Sequence, residues 1–385
     1  MTVCDRSKCT GCGVCADACP RDCIEIKYDQ NGFLQSYVDE SRCVGCQKCV
    51  RVCPVNTPQN HNTMLRSFKF RRKDTAALMG STSGGAAALL AETVTAHGGQ
   101  VCGSGFDSNL QLRHTVESEP TKLEKFKGSK YIQSQTGGIY RQIRHCLQEG
   151  TQLLFIGTPC QVSALQSFLG RDYENLITVD LVCHGVASTK VLEKYLDQAG
   201  REQLCSIRFR SKTNGYIDCQ KNDLRLIYSD GEKTVDHAKG IVLWFAAGLS
   251  LRESCYRCQF ASSQRCADLT LADYVGKDLT PEEQQYGVSM VFANTPKGEQ
   301  MLQHLETDAW MEEIPVEDAR QRYLCLKQKG SIPGSRKRFF RDLDKLPLSQ
   351  LEQKYTLQAI LPSKPVRYLH AAVNRFKQLI KVKSE

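Results

Sequence analysis

Apolar runs of strand length, each closed by turn residues, recur along the chain. Leu153-Leu154-Phe155-Ile156 runs into Gly157-Thr158-Pro159-Cys160, which predicts a buried strand, a sharp turn and a helix over 161–169. Ile177 to Val182 repeats the design and again reaches a cysteine, Cys183, followed by His184-Gly185. Nearer the start, Ile24-Glu25-Ile26 and Phe33 to Val38 flank Asn31-Gly32, a strong hairpin signal. Thr75 to Met79 reads as a short strand, and Ser81-Thr82-Ser83-Gly84-Gly85 opens onto a helix beginning at Ala86. Near the end, Leu369, Val373, Phe376 and Ile380 fall at helical spacing, with Arg367, Arg375, Lys377 and Lys381 among them.

Composition changes this picture at one point. The chain has 385 residues and 20 cysteines, and ten of those cysteines lie within residues 1–53. Such density means disulfides or a metal site, and disulfides need an oxidising compartment. The opening Met1-Thr2-Val3-Cys4-Asp5-Arg6 leads into no apolar segment, and no later run has the length of a membrane span. A cytoplasmic protein with reduced cysteines is therefore expected, and metal binding is the preferred reading.

The spacing specifies the metal. Cys9-x2-Cys12-x2-Cys15-x3-Cys19-Pro20 recurs 34 residues later as Cys43-x2-Cys46-x2-Cys49-x3-Cys53-Pro54. Three closely spaced thiolates cap one 4Fe–4S cube, and the fourth cysteine of each run reaches the other cube. Cys9, Cys12, Cys15 and Cys53 are thus expected at one cluster, and Cys43, Cys46, Cys49 and Cys19 at the other. Zinc also binds Cys-x2-Cys pairs but does not require a doubled eight-cysteine pattern. Cys4 and Cys23 lie outside the pattern and read as ordinary small residues.

Two weaker features follow. The Ser83-Gly84-Gly85 turn feeding a helix N-terminus suits a flavin or nucleotide phosphate, with a plain helix cap as the simpler alternative. Cys255-x2-Cys258 is a close pair that needs further ligands for a cluster. Cys160 and Cys183, at two predicted strand ends, are natural candidates, and Cys266 is a rival.

Several segments together resemble the coenzyme F420 hydrogenase/dehydrogenase beta-subunit family. They are Ser129-Lys130-Tyr131-Ile132-Gln133-Ser134, Gly157 to Gln161, Asp180 to Gly185, Ser254-Cys255-Tyr256-x-Cys258, Arg265 to Gly276, and Gly287-Val288-Ser289. The resemblance implies an FAD-binding α/β domain with its own 4Fe–4S cluster. It strengthens the ligand set Cys160, Cys183, Cys255 and Cys258, and it makes Ser83, Gly84, Gly85, Ser129, Lys130, Tyr131 and Ser134 candidate FAD contacts. Val275 stands where a tryptophan is expected and Cys102 where an aromatic is usual, so the substrate is left open and a deazaflavin coenzyme is not carried over. His184, Lys130 and His237 are the titratable residues considered near a flavin, and no catalytic residue is assigned.

The expected class is α/β. A small α+β two-cluster ferredoxin domain (1–57) is joined by a linker (58–74) to a larger flavin-binding domain (75–320, in parts 75–150 and 151–320). A helical basic tail (321–385) follows. Residues 331–385 hold 12 Lys/Arg against 4 Asp/Glu, which suits a membrane surface or an acidic protein, or packing onto the body. Nucleic acid is not expected as a partner. The expected function is an iron–sulfur flavoprotein oxidoreductase exchanging electrons with a partner protein or a small-molecule acceptor. The rival is an electron-carrier subunit that docks on a catalytic partner.

Overall fold

The computed structural model describes residues 2–57, 62–201, 203–212, 215–216, 224–229, 231–234, 239–276, 278–323, 326, 330–356 and 360. His237 and the tail residues Arg367 to Lys381 lie outside them. The strands used below are β1 (Ile24–Tyr28), β2 (Leu34–Val38), β3 (Asn62–Thr63), β4 (Arg66–Arg72), β5 (Gln100–Phe106), β6 (Leu112–Glu117), β7 (Leu153–Ile156) and β8 (Leu176–Leu181). They continue with β9 (Leu204–Arg208), β10 (Arg225–Tyr228), β11 (Gly231–Thr234), β12 (Gln264–Arg265), β13 (Leu269–Asp273), β14 (Ser289–Ala293) and β15 (Ala309–Ile314). The helices labelled are α1 (Val14–Asp17), α2 (Lys48–Arg51), α3 (Thr75–Met79), α4 (Ala86–Ala96), α5 (Ile139–Gln148), α6 (Pro159–Leu169) and α7 (Thr189–Ala199).

Eight strands form the main sheet in the order β15-β4-β14-β13-β8-β7-β5-β6. The four central strands, β13, β8, β7 and β5, are parallel, and antiparallel strands continue the sheet on both sides. Central parallel strands bury both faces, and β7, Leu-Leu-Phe-Ile, is accordingly apolar throughout. In β7, Leu154 packs with α4, while Leu153 and Phe155 pack with α5 and α6 on the opposite face. Alternating directions along one strand thus feed two cores, giving helix, sheet and helix layers. Leu153, Leu154 and Phe155 are fully buried, and each such side chain contributes about 1.5–3 kcal/mol of transfer free energy.

Three expectations need correction. Thr75–Met79 is the helix α3, because Asp74 caps it by accepting from the Ala77 N–H and its residues include the strong helix formers Ala76, Ala77, Leu78 and Met79. The stretch expected as a linker holds β3 and β4, and β4 lies inside the main sheet between β14 and β15. Its charged spelling, Arg66-Ser-Phe-Lys-Phe-Arg-Arg, hid a strand in which Phe68 and Phe70 are buried; Lys69, also largely buried, lies near Asp278 and Glu312 at the edge of its environment. The start of the expected tail is part of the body. Helices over Arg336–Lys345 and Leu348–Lys354 bring Phe339, Leu343, Leu351 and Tyr355 into one core with α7 and Trp244, whose indole N–H donates to the Tyr355 carbonyl at 2.9 Å.

The N-terminal module docks firmly onto this body. Its hairpin, β1 with β2 around the predicted Asn31-Gly32 turn, is held at the tip: the Ser188 and Thr189 hydroxyls donate to the Asn31 and Gly32 carbonyls at the start of α7. Its first cysteine loop is held through backbone carbonyls. Gln133 donates to Thr10, Thr136 and Tyr140 both donate to Cys12, and Arg141 donates to Ala16, Asp17 and Cys19. In return Asp17 accepts from the Gly138 and Tyr140 N–H groups at the start of α5, where a carboxylate complements the helix dipole. Arg252, only 2% exposed, donates to the carbonyls of Cys9 and Leu34. A Cβ on Gly11 would come within 2.5 Å of the Arg252 guanidinium, so this glycine is fixed by close approach of the body as well as by its positive φ.

Two predictions follow from these contacts. Replacing Arg252 by Met strands two carbonyls at the junction and should lower stability by about 3 kcal/mol. It should also raise amide exchange in residues 9–15; unchanged exchange there would mean that docking rests on the other contacts. The second concerns His114, whose Nε2–H donates to the Ile156 carbonyl at 3.1 Å while its ring stacks on Phe155. Burial drives its pKa down to about 4. The folded state then binds fewer protons than the unfolded state between pH 4 and 6.5, so the contribution is complete above pH 6.5 and is lost as pH falls towards 4. His114→Gln should flatten the wild-type decline in unfolding free energy, measured by urea titration, over that window by an amount on the order of 3 kcal/mol. Parallel pH profiles for the two proteins would show that burial of His114 carries no such linkage.

Candidate functional site: three groups of cysteines

Each cysteine run places its thiols by the same local device, a glycine-containing loop that turns into a single turn of helix. Gly13 caps α1 in a left-handed conformation, and Gln47 caps α2 in the same way. The two loops line two hollows. One, with about 330 Å³ of empty space, is lined by Cys9, Cys12, Cys15 and Cys53 together with Ile26 and Ser36 of the hairpin. The other, about 340 Å³, is lined by Cys43, Cys46, Cys49 and Cys19 with Ile24 and Val38. The crossover of the fourth cysteine of each run to the opposite hollow is therefore present in the geometry, and the hairpin runs along both.

The hollows differ in surroundings. Cys12 and Cys15 are buried under the body, whereas the Val44–Lys48 stretch is exposed, with Val44 at 63% and no atom near an added Cβ on Gly45. Each hollow also holds a cysteine outside the repeat. Cys4 lies in the first, hydrogen-bonded to Cys9 and Cys53. Cys23 lies in the second, with its Sγ 3.3 Å from that of Cys19. Reading these two as ordinary small residues missed this, because their neighbours are brought in by the fold and not by sequence spacing.

A third group forms where the parallel strands end. Cys160 follows β7 in the first turn of α6, whose cap is a reciprocal Thr158–Gln161 arrangement, and the Thr158 hydroxyl contacts the Cys160 sulfur at 3.1 Å. Cys183 follows β8. Cys255 and Cys258 come from a short 3₁₀ segment, Glu253–Arg257, and its exit. Three distant pieces of backbone meet here: the Ala187 N–H donates to Tyr131, the Arg252 N–H to Val186, and the Cys255 N–H to Arg252. Gly185 approaches Cys255 so closely that an added Cβ would lie 3.2 Å from the cysteine Cβ. The thiols of Cys160, Cys183, Cys255 and Cys258 act electrostatically on one another, and burial raises Cys160 to about 12, Cys255 to about 11 and Cys183 well above the usual thiol range. Cys266 is buried beneath them against the Pro159 carbonyl, and Cys160 is its principal thiol neighbour.

This group adjoins the first hollow. Cys160 acts on Cys12, and the Arg252 guanidinium acts on Cys9, Cys160 and Cys255 alike. Gln259, next to Cys258, donates to the carbonyl of Pro54, next to Cys53. The loop carrying Cys258 is further tied to β8 by a buried ion pair: Arg265 meets Asp180 at 2.9 Å and donates to the Phe260, Ser262 and Leu181 carbonyls.

The residues considered for FAD are distributed differently. Thr82 and Gly128 adjoin, so the 81–85 and 127–134 segments do meet. Several of their groups have internal partners. The Ser83 hydroxyl donates to Val288, and the Ser83 carbonyl accepts from Lys212. Gly84 is wedged so that an added Cβ would strike the Phe70 carbonyl and the Ser289 nitrogen. Gly85 is the left-handed cap of α4. The Lys130 ammonium donates to the carbonyls of Lys125, Phe126 and Lys127. Tyr131 stacks on Phe245 and meets Phe209 edge-on, and Ser134 accepts from Gln161 of the α6 cap. Ser81 Oγ is buried with no partner among the described residues. His184 contacts Phe245 through its ring and its Nε2 lies 3.2 Å from the Phe245 carbonyl.

Comparison with known proteins gives the two parts names. Residues 8–57 match the 4Fe–4S dicluster domain, and residues 150–319 match the C terminus of the coenzyme F420 hydrogenase/dehydrogenase beta subunit. No curated protein matches the chain. Among solved structures, a chain of the F420-reducing NiFe hydrogenase complex from Methanosarcina barkeri, in a xenon derivative, is similar over 78% of this chain and 97% of its own, at 16% identity and a TM-score of 0.45. The chain thus joins a 4Fe–4S dicluster domain, over residues 8–57, to a segment, residues 150–319, that is similar to the C terminus of the coenzyme F420 hydrogenase/dehydrogenase beta subunit.

Proposed function

We propose that the protein is an iron–sulfur flavoprotein oxidoreductase that moves electrons between ferredoxin-type 4Fe–4S clusters and FAD, to reduce or oxidise a two-electron substrate. Cys9, Cys12, Cys15 and Cys53 would hold one cluster and Cys43, Cys46, Cys49 and Cys19 the second. Cys160, Cys183, Cys255 and Cys258 would hold a third. The observation that carries the reading is the convergence of these last four thiols beside the first hollow. Cys160, Cys183 and Cys255, half-buried thiols whose pKa burial and neighbouring thiols raise, are poor thiolates alone and good ligands for a cationic cluster, which supplies the missing charge. Cys183 suits the fourth position better than Cys266, since its principal thiol neighbours are the other three.

The chain's own groups would then do three things. The Arg252 guanidinium sets a fixed positive charge between two cluster sites, which favours the more negative, reduced state of each. The burial of Cys12, Cys15 and Cys53 keeps water away from the first site. The exposed Val44–Lys48 face leaves the second site open to a redox partner protein or a small electron acceptor. FAD, when bound, supplies the conversion between one-electron and two-electron chemistry. Its support here is the family resemblance and the meeting of the 81–85 and 127–134 segments, where Ser81 Oγ and Gln133 Oε1 are buried polar atoms without a partner among the described residues.

Anaerobic purification with iron, sulfide and flavin counted per chain tests the reading. About twelve irons and one FAD are expected from three four-iron clusters. Cys183→Ser should lose about four irons and Cys266→Ser none. About eight irons and no flavin would withdraw the third cluster and FAD, leaving an electron carrier.

A further inference from the structure

The two cysteine runs share a spacing but not a charge pattern. Residues 5–19 hold Asp5, Arg6, Lys8 and Asp17, and Asp17 is spent on docking, accepting from the Gly138 and Tyr140 N–H groups. Residues 41–57 hold Arg42, Lys48 and Arg51 and neither Asp nor Glu. The fold adds a further cation, because Arg21 lines the second hollow beside Cys43, Cys46 and Cys49. Hydrogen bonds keep two of the guanidinium groups on this face: Arg42 donates to the Arg21 carbonyl and Arg51 to the Cys46 carbonyl, each at 3.0 Å. Arg21, Arg42, Lys48 and Arg51 are all exposed. Nearby carboxylates are engaged. Asp22 is paired with Arg141 at 2.7 Å, and Asp39 accepts from the Ser41 N–H and hydroxyl, with Arg42 as its neighbouring cation. Glu40, which follows it, is the remaining acid close to this run in sequence.

Among these cations the surface is apolar and open. Val44 is 63% exposed, Gly45 has open space around it, and Cys46 is exposed. A single exposed apolar residue is ordinary on a protein surface. Here it stands on the loop between two of the thiols, and cations flank that loop. An apolar centre with a charged rim is the anatomy of a protein interface, and rim charges govern the rate of encounter more than the affinity. We propose that this face is the docking surface for an acidic one-electron carrier protein. Carboxylates of the carrier meet Arg21, Arg42, Lys48 and Arg51, and its redox centre comes up to the loop around Val44. One electron then passes: the carrier is oxidised by one unit, the second cluster is reduced by one, and no bond or proton moves. The reverse transfer uses the same contact. An anionic lipid surface would also attract these cations, but it gives no reason for them to surround the more open of the two cysteine runs. The proposal rests on the reading that the second hollow holds a cluster.

The test uses the full-length protein, purified anaerobically, and two reductants: a reduced acidic flavodoxin and reduced methyl viologen, a small cation. Stopped-flow bleaching of the clusters gives the rate constants. With wild type, the flavodoxin rate constant should fall about tenfold as salt rises from about 50 mM to about 500 mM. The double variant Arg42→Glu, Lys48→Glu should lose about tenfold at low salt and show a flattened salt dependence. It should keep the wild-type iron and be reduced by methyl viologen no more slowly than wild type. A wild-type rate that ignores salt, or a double variant that matches wild type, overturns the proposal. Equal slowing with both reductants also overturns it, since the charges would then act on the cluster's potential and not on docking. Binding to phosphatidylserine vesicles that the double variant loses, with unchanged flavodoxin rates, would assign the face to a membrane instead. An iron count that Cys46→Ala leaves unchanged would show that the second hollow holds no cluster, which overturns the underlying reading and the proposal with it.

Discussion

A guanidinium buried at a junction is the constraint on which much of this architecture depends. Arg252 is almost fully enclosed, and a cation removed from water must be compensated at close range. Its described polar partners are the carbonyls of Cys9 and Leu34, and its charge lies over the Phe33 ring at 5.5 Å. Carbonyl dipoles and a ring face compensate a full charge incompletely. The remaining negative charge can come from the thiols it faces, Cys9, Cys160 and Cys255, once these are ionised on a cluster. In the proposed reading the docking of the N-terminal module, the loading of two sites and the folding of the 183–187 and 252–258 loops are therefore one coupled equilibrium.

The repeat in the sequence is symmetric, and the structure breaks that symmetry. Both cysteine runs have the same spacing, but the first loop is gripped through the carbonyls of Cys9, Thr10 and Cys12 while the second is exposed. Gly11 cannot accept a side chain without displacing Arg252, whereas Gly45 has open space around it. Solvent exposure and neighbouring charge are two of the levers that set a cluster's potential, so in the proposed reading two sites with identical ligands would differ in potential through what packs on them. The accessible site faces outward, and the enclosed one lies beside the third group of thiols.

What could be read from the sequence was what is local. Cysteine spacing, the Asn31-Gly32 hairpin and the two apolar strands ending at Cys160 and Cys183 are each set within a dozen residues, and each is found in place. Missed features depend on partners far along the chain. β4 was hidden because its charged residues look like a solvated stretch until β14 and β15 cover its backbone edges. Thr75–Met79 was misread because its composition is apolar but its start is decided by a single capping residue, Asp74. Asp17, Gln133 and Arg141 carry no motif, since their chemistry is to read main-chain groups of another module. A signal for Cys4 and Cys23 did exist. They were two cysteines too many for eight ligands, in a segment where every other cysteine was accounted for.

The third group shows why a parallel sheet is a suitable platform for such a site. Strand ends at the carboxyl edge fix the Cα positions of the following residues, and β7 and β8 are neighbours, so Cys160 and Cys183 start close together. The other pair must be brought from a segment with little regular structure, and a mobile segment would hold a cofactor poorly. Here the Asp180–Arg265 pair supplies the rigidity. It joins the β8 strand that leads to Cys183 to the loop after Cys258, with Thr270 also donating to Asp180. A buried ion pair of this kind adds little net stability compared with apolar packing, but removing one partner leaves an uncompensated charge. That property selects one arrangement of the loop over its alternatives, and a site assembled from three separate pieces of chain needs specificity of position more than it needs additional stability.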